Sequence, residues 1–97
     1  MVKIVSRRSH DCAIVALSGT FDFTARALFR NAYEQWLAAP DVRELVVDLR
    51  EVSVSDSTVP GMLLVLRERA RRSGKAVRVR TADPVVDAVL DSVRFSA

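Results

Sequence analysis

Asp56-Ser57-Thr58 is the point in these 97 residues where side-chain type and spacing could support chemistry. The three precede the apolar run Met62 to Leu66, where a strand and its loop pass into a helix. If Asp56 caps that helix, Ser57 occupies the first turn with its hydroxyl outside the backbone ladder. A helix start offers unpaired N–H groups and the positive end of the dipole, which favour a dianionic phosphate on Ser57. Pro60 removes one of those N–H groups. Capping alone is the plainer account, since Ser and Thr are common at helix starts, and spacing alone favours it. Against it, Asp56 already suffices as a cap and leaves Ser57 and Thr58 redundant. The remaining reactive side chains carry less. His10 lies in a turn with no nucleophile beside it, and Cys12 falls in an apolar strand. One cysteine and one histidine cannot furnish the usual ligands of a structural zinc site or an internal disulfide, which fits a reducing compartment. Gly19, Gly61 and Gly74 never cluster into a phosphate-cradling loop. Neither a metal, a cofactor nor catalysis by this chain is expected.

The elements that must position this junction can be read from periodicity. Lys3 to Arg7 alternates as a strand, and Cys12 to Leu17 is an apolar strand closed by Gly19, with Ser9-His10-Asp11 as the turn between them. Ala25, Leu28, Phe29, Ala32, Tyr33, Trp36 and Leu37 line one helical face. Asp22 or Thr24 can cap that helix, and Pro40 stops it. Phe21, Phe23, Phe29, Tyr33 and Trp36 could stack bases, but their spacing favours core packing. Glu44 to Leu49 reads as a strand covered on both faces, followed by polar residues to Thr58. Residues 57–73 form a helix, its first half buried, its second solvated, with Gly74 as the C′ glycine and arginines in the last turn. Ala76 to Arg80 is a strand with one polar face. Asp83-Pro84 opens a last helix carrying Val85, Val86, Val89, Leu90 and Val93. The order β-β-α-β-α-β-α predicts an α/β fold, a small four- to five-stranded mixed sheet with helices against one face.

Length suits one domain over residues 1–97. With 49% hydrophobic and 28% charged residues, the chain is expected to be a soluble globular protein. No apolar run approaches the ~18 residues of a membrane span, and Met1-Val2-Lys3-Ile4 does not open a signal peptide. A cytoplasmic protein without membrane insertion is the expectation. The formal charge is +3, and seven basic residues lie between Arg67 and Arg80. A nucleic-acid reader would interleave aromatics there; this patch has none, and Glu68 interrupts it, so nucleic acid is not an expected partner.

Three motifs in register resemble one family. Leu45-Val46-Val47-Asp48-Leu49 leading to Asp56-Ser57-Thr58 is similar to the signature of the STAS domains, the bacterial anti-sigma-factor antagonists. Leu17-Ser18-Gly19-Thr20-Phe21-Asp22 resembles the family's second motif, and Arg71-Arg72-Ser73-Gly74-Lys75-Ala76-Val77 its helix end and following strand. The likeness spans residues 12 to 90. It implies partner switching: a serine kinase with an ATPase-type kinase domain, itself an anti-sigma factor or related regulator, binds the unmodified antagonist and phosphorylates it. A PP2C-type phosphatase restores it. The acceptor maps onto Ser57, with Thr58 the lesser candidate, and Asp22 matches the acidic residue beside the acceptor. Asp22, Asp56, Ser57, Thr58, Val59 and Met62 are the implied partner surface. Where the family usually continues Gly-Leu-Gly, this chain has the stiffer Val59-Pro60-Gly61. The alternative within the resemblance is an unphosphorylated accessory subunit of a membrane transporter complex, with Ser57 only a cap. The oligomeric state is left open.

Overall fold

A computed structural model describes residues 2–54, 59–82, 84, 87 and 88. Four strands form one sheet in chain order: β1 (Lys3–Ser9), β2 (Cys12–Phe21), β3 (Glu44–Val54) and β4 (Ala76–Arg80). β1 and β2 are an antiparallel hairpin in which Ser9 faces Cys12 across His10-Asp11. His10 takes the left-handed conformation there, with φ 56°. β2, β3 and β4 are mutually parallel. A short 3₁₀ turn, Phe23–Ala25, leads into α1 (Arg26–Leu37), and α2 (Val59–Arg72) joins β3 to β4. Right-handed crossovers between neighbouring parallel strands bring both helices to the same face of the sheet. The result is a single small domain with a mixed sheet and two helices.

Alternation along the strands separates the two faces. Ala13, Val15 and Leu17 of β2 and Leu45, Val47 and Leu49 of β3 are buried beneath the helices. From α2, Val59, Leu63 and Leu66 enter the same cluster. From α1, Phe29 and Tyr33 do, with Phe29 edge-to-face against both Phe21 and Tyr33 at 5.3 and 5.1 Å between centroids. Sixteen apolar residues are buried, and no polar one is among the described residues. Desolvation therefore supplies the main stabilisation of the layer between sheet and helices.

The structure adjusts several expectations. β2 does not close at Gly19 but continues to Phe21, with Gly19 inside the strand at φ 93°. β3 runs past Leu49 to Val54, because its backbone goes on pairing with β2 from Ser18–Glu51 to Phe21–Val54. One extra residue is taken up in β3 where Ala16 faces Asp48 but Ser18 faces Glu51, a bulge that re-aims both strand ends. Leu28, expected on the core face of α1, is 54% exposed. The second half of α2 is not wholly solvated: Ala70 is buried, and Arg69 donates to the Glu34 carboxylate at 2.6 Å, tying α2 to α1. Gly74 does end α2, at φ 72°, with the Lys75 N–H returning to the Ala70 carbonyl at 2.8 Å. Helical residues 84, 87 and 88 fall within the expected last helix; Val85, Val86, Val89, Leu90 and Val93 lie outside the described residues.

Candidate functional site

Strand pairing assembles the candidate site. β2 and β3 run side by side to their C-terminal ends, where Phe21 faces Val54. Asp22 therefore leaves β2 beside the C-terminal end of β3. The crevice beyond the carboxyl ends of parallel strands is where open α/β sheets gather their functional groups. Asp56, Ser57 and Thr58 lie outside the described residues. The described parts of the site are the Asp22 turn, the start of α2 and the cleft between α1 and α2.

Asp22 caps the turn that follows β2. Its carboxylate accepts the Thr24 backbone N–H at 2.9 Å and also the Thr24 hydroxyl. Its extended backbone is the usual geometry of a capping residue. This choice between Asp22 and Thr24 could not be made from sequence. On the other side, at the start of α2, Val59 of the expected partner surface is 0% exposed, its side chain turned into the core. The β-branched side chain anchors the first turn of α2 to the core. Pro60 lies in that turn, where a missing N–H is tolerated, and Gly61 is exposed on the next position. Met62 is half-buried and faces the interhelical cleft.

That cleft has a volume of about 390 Å³ and is lined by Arg26, Phe29, Arg30, Tyr33, Met62 and Val65, with Ala27 at its edge. Its walls combine apolar side chains of both helices with the cationic Arg26 and Arg30 of α1. Val65 is 55% exposed and Phe23 is 46% exposed. The Arg26 guanidinium lies 3.9 Å from the Phe23 ring centroid, and its Nη1 donates to the Phe23 carbonyl at 3.2 Å. Glu34, beyond Arg30, accepts the Arg69 guanidinium, which holds its carboxyl below the ordinary range. Phe23 thus departs from the core role expected of the five early aromatics.

The Cys12 thiol is pushed up chiefly by burial and also by Glu44, so it is a poor nucleophile. His10 is exposed in the hairpin turn. Among the described residues no three His, Cys, Asp or Glu side chains converge as metal ligands. No described helix is long and apolar enough to cross a membrane.

A family model described as "Mlab, STAS domain" matches residues 4–97. The chain belongs to the STAS family. It is 38% identical over 81 residues to a STAS-domain containing protein of Pseudomonas aeruginosa (strain UCBPP-PA14), covering 84% of this chain and 78% of that one. In fold it is similar to the Bacillus anti-sigma factor antagonist SpoIIAA. The unphosphorylated form matches with TM-score 0.77 at 15% identity, over 96% of this chain and 82% of SpoIIAA. The phosphorylated form matches with TM-score 0.74 at 15% identity, over 97% and 86%. Mglu contains a similar unit, at TM-score 0.63 and 21% identity over 82% of this chain, which spans 19% of that longer protein.

In this STAS domain the residues missed by sequence reasoning are Phe23, Arg26, Arg30 and Val65. Phe23 stands two positions before Ala25, off the buried helical stripe, and that offset was the available signal. Val65 sits in an unbroken apolar run, so no local pattern marks it as exposed.

Proposed function

We propose that this STAS domain is a phosphorylation-controlled anti-sigma-factor antagonist. It binds a serine-kinase/anti-sigma regulator while Ser57 is unmodified and is released once Ser57 carries a phosphate. The observation that carries this reading is the Phe21–Val54 pairing, which sets the Asp22 turn beside the C-terminal end of β3, the strand that precedes Ser57 in the sequence. Family membership and the likeness in fold to SpoIIAA support it.

The switch works by electrostatics and needs no catalysis or cofactor from this chain. A phosphate adds about −1.5 to −2 charges at neutral pH to an edge whose sequence already holds Asp22 and Asp56. Carboxylates and phosphate facing a surface that must be desolvated for binding raise the dissociation rate. A differential of ~3 kcal/mol would alter affinity by more than a hundredfold. Met62, Val65 and the Phe23–Arg26 pair offer the apolar and cationic contact area. The kinase partner carries an ATPase-type domain, a PP2C-type phosphatase resets the switch, and all three work in the cytoplasm.

A second reading is favoured by one feature, the rigid start of α2. Val59 is fixed in the core and Pro60 lacks an N–H that a phosphate could use. On that reading the chain is a static accessory subunit of a transporter complex. Paired capture from source-cell lysate with Ser57→Ala and Ser57→Asp baits separates the two, combined with phosphosite mapping on the wild-type chain. An ATPase-type kinase held by Ser57→Ala and lost by Ser57→Asp is the expected result. One identical partner on both baits, with Ser57 never phosphorylated, sinks the switch and leaves the static subunit.

A further inference from the structure

Among the described residues, none covers the face of the sheet turned away from the helices. Register runs Arg7–Ile14–Val46–Arg78 across all four strands in one row, and Val5–Ala16–Asp48–Arg80 in the next. These positions alternate with the buried ones, so their side chains project to the opposite side. Val5, Ile14, Ala16 and Val46 take no part in the core cluster, and Val5 is 56% exposed. The first row is apolar in the middle and ends on arginine at both sides; the second runs from Val5 and Ala16 to Asp48 and ends on Arg80.

The charges on this face do not cancel. Asp48 is occupied by Arg50, whose Nη2 and Nε donate at 2.8 and 3.0 Å. Glu44 lies 3.4 Å from Arg78. Lys3, Arg7 and Arg80 have no ion pair within 4 Å among the described residues. Among the described residues of this face, Glu51, facing Ser18 at the far end of the Lys3 row, is the remaining carboxylate. Size limits the occupant. Strands of 7, 10, 11 and 5 residues, at about 3.3 Å per residue and about 4.8 Å apart, give roughly 500 Å², whereas a stable interface takes about 800 Å² from each partner. A second copy of the domain is therefore too large a partner for this face alone. A single helix, about 10 Å across, fits it. The backbone hydrogen bonds here are already used in the ladder, so recognition must go through side chains.

We propose that this open sheet face is a second docking surface, on the side opposite α2, for an acidic amphipathic helix of a partner protein. Leucine- or alanine-type residues of that helix would cover Ile14 and Val46, with carboxylates on its flanks meeting Arg7 on one side and Arg80 on the other. The inference does not rest on Ser57.

The test uses the ¹⁵N-labelled full chain and two synthetic 16-residue helical peptides with the same apolar stripe, one flanked by Glu and one by Lys. The Glu peptide is expected to move the amide resonances of Val5, Ile14 and Val46, and the Lys peptide is not. The Arg7→Glu/Arg80→Glu variant is expected to weaken the Glu peptide at least tenfold while keeping a folded spectrum, and added salt is expected to weaken it too. Both substituted residues are exposed, so folding is not at risk. Equal binding of both peptides, no binding of either, or shifts confined to the α1–α2 cleft would overturn the proposal. So would a dimer mapped to this face by sedimentation and the same variant, or Arg7-dependent binding to phosphatidylglycerol vesicles with none to the Glu peptide.

Discussion

Among the described residues, three carboxylates are held by arginines in a way that ties the fold to pH. Arg50 holds Asp48 below the ordinary range, mainly through its side-chain hydrogen bonds. Arg69 does the same for Glu34, and Arg8 for Asp41 at 2.6 Å. A carboxyl whose folded pKa is depressed stabilises the fold above its unfolded value, about 3.9–4.3, and loses that contribution as pH falls through the lower folded value. Thermal unfolding should therefore be nearly flat from pH 7 to about 5 and decline below about pH 4. Asp48→Asn should lower Tm at pH 7 and shrink the acid decline, since it removes one titrating group. All three pairs are at least partly exposed, so each contributes modestly. A Tm that rose on acidification would contradict this assignment.

α2 carries opposite lessons in its two glycines. Gly61 lies within the helix with nothing within 4 Å of where a Cβ would sit. Gly61→Ala should stabilise by about 0.5–1 kcal/mol, a rise of several degrees in Tm on the usual scale of roughly 4–8 °C per kcal/mol. Gly74 has equal space but φ +72°, so Gly74→Ala should lower Tm despite the absence of any clash. Paired calorimetry of the two variants checks both signs. This contrast also marks what the sequence made legible. Gly74 and the strand over 76–80 were readable because glycine after an arginine-rich turn and strict alternation are local signals. The extension of β2 through Gly19 was not, because pairing with β3 holds it. The bulge at Leu49-Arg50 was invisible for the same reason: it exists only as a mismatch between two strands. At the candidate site, the types and order of the residues could be read, but their meeting could not. That the C-terminal ends of β2 and β3 lie side by side depends on Phe21 facing Val54, a register that neither segment specifies alone.

At the scale of the molecule, the core is one layer shared by every element, so its loss is not local. Leu66 is fully buried between α2 and the sheet. Leu66→Ala should cost about 2–5 kcal/mol, a large share of the roughly 5–15 kcal/mol typical of such domains. Urea denaturation should read this as a lower midpoint with an unchanged slope, while Leu64→Ala, only half-buried, costs less. A shallow loss at Leu66 would mean that the helix layer yields independently of the sheet. The sheet itself is laid out in the order of the chain, β1-β2-β3-β4, so each strand bonds to the one made just before it. On a ribosome, where domains fold from the N-terminal end, every strand after β1 meets an edge already in place, and β1 itself waits only for the second half of its own hairpin. No later strand stands unpaired and prone to aggregate until a partner is translated.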